Sequence, residues 1–250
     1  MLLSNYSLTH SLTHSLTYSL ILINSLTHSL THSLTHSYLL THASFLTLFR
    51  FFLQDFFNSA LNGNISAVKK LLDQGVHKDS QNEVGYTALI WASARGHEAV
   101  CELLITRGCN LDMQDNDGWT ALILASYNGH KEVCELLITR GCNLDMQTNN
   151  DDTALMVASR KGHKEVCELL ITRGCNVDTQ DNNGWTALMR ASYFGHIPVV
   201  ISLIEAGCDY SLRDKEGKSA MDILREHHPD KVKEVQVSRS PTAVVTHSLI

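Results

Sequence analysis

From Gly85 onward the chain repeats a 33-residue unit: Gly85, Gly118 and Gly184 each open a copy, and Asp151 opens the copy between the last two. In register, Tyr86-Thr87-Ala88-Leu89, Trp119-Thr120-Ala121-Leu122, Asp152-Thr153-Ala154-Leu155 and Trp185-Thr186-Ala187-Leu188 superimpose. So do Gly96-His97, Gly129-His130, Gly162-His163 and Gly195-His196, and the four copies run without an insertion. A unit this short cannot bury its own apolar face. Copies must therefore stack side by side into an elongated array in which each contacts only its neighbours.

The copies share a local grammar. Thr87, Thr120, Thr153 and Thr186 stand where a short helix begins, and a Thr hydroxyl there can accept from the orphan N-H groups of the first turn. In the second copy the helix Ala121 to Asn128 is rich in small residues, which lets a neighbouring backbone come close, and Gly129 breaks it. A second helix is predicted from about Lys131 to Arg140, with Val133, Leu136 and Leu137 on one face and Gly141 at its end. The Asn- and Asp-rich stretch Cys142 to Asn150 suits a projecting turn or hairpin. Asp151 stands where the other copies have Gly, and Asp tolerates the left-handed backbone better than most residues.

These marks resemble the ankyrin repeat, whose pattern runs G-x-T-P-L-H, then A-A-x-x-G-H, then a Val-Leu-Leu helix and G-A-D-x-N. The resemblance covers about Phe52 to Asp230. It departs at the Pro, here Ala88, Ala121, Ala154 and Ala187, and at the first His, here Ile90, Ile123, Met156 and Met189. The Thr-to-His hydrogen bond implied by the family is thereby lost, and apolar packing is expected in its place. The fold class expected is all-α: an ankyrin-repeat solenoid of stacked helix-turn-helix units with projecting hairpin loops, preceded by a low-complexity N-terminal segment. Its units are an N-terminal capping repeat at 52–84, repeats at 85–117, 118–150, 151–183 and 184–216, a truncated capping repeat at 217–236 and a disordered tail at 237–250. The N-terminal cap carries Lys69, Lys70, His77 and Lys78 where no apolar neighbour is needed, and Pro198 falls in the first turn of its helix, where the missing N-H costs little.

Residues 1–50 are read as disordered low complexity. Residues 1–49 contain no Asp, Glu, Lys or Arg and consist largely of Ser-Leu-Thr-His tetrapeptides. A TCAC tract spells this tetrapeptide in every forward frame, so the segment reads as translated simple-repeat DNA. His28, His32 and His36 are spaced for one helical face, but no acidic or Cys ligand accompanies them, and no metal is expected. The apolar stretch 38–53 raises the alternative of a membrane-tethered scaffold. It is shorter than a spanning helix requires and contains Arg50, so membrane attachment is not the expectation.

Net charge of -6 supplies no basic field for a phosphate backbone, so no nucleic-acid partner is expected. The seven cysteines occupy two repeat slots, Cys101, Cys134 and Cys167 in one and Cys109, Cys142, Cys175 and Cys208 in the other. Their odd count and the absence of C-x-x-C suit buried thiols in a reducing compartment better than a disulfide framework. No phosphate loop, zinc-protease helix or nucleophile elbow occurs, and His97, His130, His163 and His196 recur as structural residues. The expectation is a non-catalytic monomeric adaptor without cofactor, cytoplasmic or alternatively nuclear, that binds a protein partner.

The resemblance places partner contacts in a concave groove, at the hairpin tips, the residue after the hairpin Gly and the two residues before Gly-His. Those slots give Tyr86, Trp119, Asp152 and Trp185; Arg95, Tyr127, Asn128, Arg160, Lys161, Tyr193 and Phe194; and, at the tips, Asn116 and Asp117. They vary and take aromatic residues and Arg, as binding hot spots do, while Cys101 to Asn110 recurs unchanged at 134–143 and 167–176. The competing expectation is that Trp119 and Trp185 merely cover the preceding repeat. Trp91, in the slot of Leu124 and Val157, is expected in the core. A third possibility is hydroxylation at the family's hairpin Asn, but that slot holds Asp112, Asp145 and Asp178.

Overall fold

The structure is a computed structural model that describes residues 50–238. The chain divides into two units, the second beginning at Leu53, and the repeats lie in the second. The readings of residues 1–49, including most of the apolar 38–53 stretch, fall outside the described residues. Among the described residues, no helix is long and apolar enough to cross a membrane.

Helices follow one another in pairs. They are α1 (residues 50–61) and α2 (Ile65–Asp73), α3 (Ala88–Ala94) and α4 (Glu98–Thr106), α5 (Ala121–Asn128) and α6 (Lys131–Thr139), and α7 (Ala154–Lys161) and α8 (Lys164–Thr172). Then come α9 (Ala187–Tyr193) and α10 (Ile197–Glu205), and α11 (Ala220–His227) and α12 (Val232–Ser238), the last two joined by a short 3-10 turn. No strand occurs among the described residues, only an isolated bridge between Arg213 and Ser219. The first helices α3, α5, α7, α9 and α11 pack in one row and the second helices α2, α4, α6, α8 and α10 in another. α12 extends two residues into the stretch expected as a tail, and the remainder of that tail is outside the described residues.

The threonines act as read. The Oγ1 atoms of Thr87, Thr120, Thr153 and Thr186 accept from the backbone N-H of Ile90, Ile123, Met156 and Met189 at 3.1, 3.2, 3.3 and 3.2 Å. Those four donor residues carry buried side chains, each 1 % exposed, so apolar packing does occupy the slot that the family gives to His. Ser219 opens α11 with a full capping box through Asp222. Asp151 holds a left-handed backbone, φ 60°, as its Gly counterparts do.

Neighbouring units are clasped by histidine. The Nε2 atoms of His97, His130, His163 and His196 meet the carbonyls of Leu61, Ala94, Tyr127 and Arg160 in the preceding unit at 2.9, 3.2, 3.1 and 3.1 Å. A carbonyl only accepts, so the ring proton sits on Nε2. Each ring also lies against the Gly that follows the preceding unit's first helix: a Cβ on Gly129 would fall 2.6 Å from His163 Nδ1. Gly in that motif therefore does two things, ending the first helix with a positive φ and clearing a seat for the next unit's imidazole.

The loops are laced in the same way. Carboxylates of Asp79, Asp112, Asp145 and Asp178 accept from the backbone N-H of Asn110, Asn143, Asn176 and Asp209 of the following unit at 2.8 to 2.9 Å. Gln81 and Gln114 each donate to the carbonyl of their own hairpin's closing Gly and to the next unit's Gln carbonyl. On the second-helix row, Arg140 reaches Glu102 at 2.7 Å and Arg173 reaches Glu135 at 3.3 Å. That ladder stops at Ala206, where the repeat would place the next Arg, and Glu168 instead accepts from Ser202 Oγ at 3.1 Å.

One core expectation is corrected. Trp91 is half-buried, and its ring stacks on Tyr86 with centroids 4.6 Å apart. The slot is a boundary one: Leu124 and Arg190 are also half-buried there, and only Val157 and Ile223 are buried.

Candidate interaction face

The first helices and the hairpins before them present the variable slots on one side of the stack. Each hairpin is built on a buried oxygen that accepts two backbone N-H groups: Asp115 from Asp117 and Trp119, Asp181 from Asn183 and Trp185, and Thr148 from Asn150 and Asp152. This fixes the backbone of the residue after the hairpin Gly, and so fixes where Trp119, Asp152 and Trp185 emerge.

Trp119 meets Tyr127 of its own repeat edge-on at 5.6 Å. The next repeat brings Lys161 Nζ to 4.4 Å and the Arg160 guanidinium to 5.4 Å from the Tyr127 ring centre. Hydrogen bonding from Lys161 holds the Tyr127 phenol below its usual value. Arg160 also lies 3.9 Å from Asp152, whose other oxygen receives Arg190 at 3.1 Å. Arg190 further pairs with Asp181 and lies over the Trp185 ring at 5.4 Å. Trp185 meets Tyr193 at 5.4 Å, and Tyr193 in turn contacts Phe194 at 5.0 Å and His227 at 4.4 Å. A cleft of about 430 Å³ opens here, with Trp185, Arg190, Tyr193 and Phe194 on one side and Asp214, Lys215 and Glu216 of the next hairpin among its other lining residues.

The sequence-derived residues thus fall into three groups. Trp119, Tyr127, Arg160, Lys161, Asp152, Trp185, Tyr193 and Phe194 join one band of side-chain contacts. Tyr86 stands apart with Trp91, its phenol pushed up by burial and by the nearby Asp115 and Asp117, while Arg95 and Asp117 are exposed. Asn116 and Asn128 are also exposed, yet their amides donate to the preceding unit, to the Glu83 carbonyl at 3.1 Å and the Ala94 carbonyl at 3.2 Å. Asp152 differs from its expected exposure: it is 6 % exposed, because two arginines draw it inward. Its carboxyl is held above the usual Asp range by burial, which the arginines only partly offset. The ring contacts of Trp119 and Trp185 run to a tyrosine within their own repeat.

The family model for ankyrin repeats (3 copies) matches residues 56–148 and 135–214. The chain belongs to the ankyrin-repeat family. Among curated proteins, the human Ankyrin repeat domain-containing protein 39 is 42% identical over 45 residues, which is 18% of this chain and 25% of that protein. The matched segment therefore spans about a quarter of the relative's length.

Ankyrin repeats are interaction modules, typically non-enzymatic. In this ankyrin-repeat protein, no group of three or more His, Cys, Asp or Glu side chains is placed to hold a metal ion among the described residues. Sequence reasoning missed Arg190, Lys215 and His227 as members of the face. Arg190 was detectable, since it breaks a slot that is apolar at Trp91, Leu124 and Val157; Lys215 stands in the hairpin-tip slot of Asn116 and Asn182, and His227 lies in the closing unit, where His228-Pro229 replaces the Gly-His pair.

Proposed function

We propose that the chain is a non-catalytic adaptor that binds a protein partner through the side of the array formed by its first helices and hairpins. One observation carries the reading: variable residues from three successive repeats form an unbroken band, from Trp119 through Tyr127, Arg160, Asp152, Arg190 and Trp185 to Tyr193. Aromatic rings and arginines brought together next to a cleft are what interface hot spots are made of. The partner would be engaged by a monomer, in the cytoplasm or nucleus, without cofactor or nucleic acid.

Replacing Trp119, Tyr127, Trp185 and Tyr193 together by Ala tests this. Partner recovery by affinity capture should be lost, while the far-ultraviolet spectrum is kept and each half-exposed ring costs only about 1 kcal/mol of stability. Undiminished capture would sink the proposal. Collapse of the fold would mean that these rings belong to the packing.

A further inference from the structure

The charges within the band do not balance. Arg160 and Arg190 face Asp152 and Asp181 and together neutralise them. Lys161 is exposed and has no ion pair among the described residues; its ammonium rests on the Tyr127 ring instead, at 4.4 Å from the centre. The band thus carries one unmatched cation, held in place by an aromatic face, in a chain whose net charge is -6. On one side of that cation stand Trp119 and Tyr127, and in the following repeat stand Trp185, Tyr193 and Phe194 with the 430 Å³ cleft. Tyr193 and Phe194 are 39 % and 45 % exposed, and large rings so open next to a cleft present apolar area to an incoming chain.

We infer that the occupant of this face is a peptide segment of the partner with a carboxylate side chain, Asp or Glu, flanked by bulky apolar residues. The carboxylate accepts from Lys161 and the apolar flank seats against Trp185 and Tyr193. A carboxylate completes the local charge balance, whereas a basic segment would set a second unmatched cation beside Lys161. This rests on the proposed binding face and adds the chemistry of what it binds.

The test uses the full chain and fluorescently labelled short peptide pools with flanks randomised over Leu, Ile, Phe, Trp, Ser and Gly. The pools differ only in a fixed centre of Glu, Gln or Lys. In anisotropy titrations the Glu pool should bind about fivefold or more tighter than the Gln pool at low salt and lose that margin as salt is raised. Lys161→Glu should reverse the order in favour of the Lys pool, and Lys161 is exposed, so its thermal melt should not move. Trp185→Ala should weaken every pool. Equal affinity of the Glu and Gln pools, with both weakened by Trp185→Ala, overturns the charge assignment and leaves the binding face standing. Binding that neither variant alters, or no binding of the Glu pool, overturns the assignment as well, and in the first of these cases the face with it.

Discussion

At the scale of single residues, the cysteines show how repetition turns a reactive group into a filler. Cys101, Cys134 and Cys167 are fully buried, each within 3.5 to 3.6 Å of the Ser Oγ eight residues earlier, and Cys109, Cys142, Cys175 and Cys208 are buried in the loops. Burial pushes the Cys101 thiol up to about 11, and those of Cys134 and Cys167 to about 12, from an ordinary 9.0. A folded-state value above the unfolded one stabilises the fold below the unfolded value, and that stabilisation is lost as pH rises towards the folded value. Thermal stability should therefore fall between pH 9.0 and about 12. At pH 8, Ellman's reagent should label the native chain slowly and all seven cysteines rapidly after denaturation. Rapid stoichiometric labelling of the folded chain would show the thiols to be accessible.

At the scale of the helix, the two glycines of a repeat look alike in sequence and differ in what they face. Gly129 ends α5 at φ 76° and Gly141 follows α6 at φ 86°, but a Cβ at Gly129 would strike His163 while a Cβ at Gly141 would meet nothing within 4 Å. Gly141→Ala should cost about 1 kcal/mol, the conformational strain alone. Gly129→Ala should cost about 1–3 kcal/mol more, because an imidazole has to leave its seat and its hydrogen bond. Urea denaturation of the two variants gives the difference, and equal losses would remove the clasp from the account. Helix limits were legible because Thr and Gly mark the two ends of α3, α5, α7 and α9: Ala121–Asn128 is where the residues place it. The destination of an exposed amide was not legible. Asn116 and Asn128 read as partner contacts, yet their amides donate to backbone carbonyls 33 and 34 residues earlier, and a carbonyl leaves no trace in a sequence. Asp152 escaped for a related reason, since its environment is made by Arg160 and by Arg190 of the next copy, and no single copy contains all three.

At the scale of the whole array, the histidine and aspartate contacts recur at each internal seam, so register rather than sequence identity should decide what the stack tolerates. Deleting residues 118–150 leaves each seam partner a substitute: His163 would find Gly96 and the Ala94 carbonyl, Arg173 would find Glu102, and the Asn176 N-H would find Asp112. The shortened chain should fold with unchanged helicity per residue and a smaller urea m-value, as less surface is exposed on unfolding. An unfolded product would show that the units are not interchangeable. The period and the closing units made this architecture legible from the residues; which of the variable positions touch one another was settled only by side chains crossing between copies. The histidine clasp has one more consequence, which concerns length. Because it sets the step from each unit to the next, Trp119 and Trp185 are held two steps apart whatever approaches them. The array is in that sense a gauge: a unit inserted between the two rings would preserve both and still lengthen the interval a ligand must match, so recognition could be lost by distance alone.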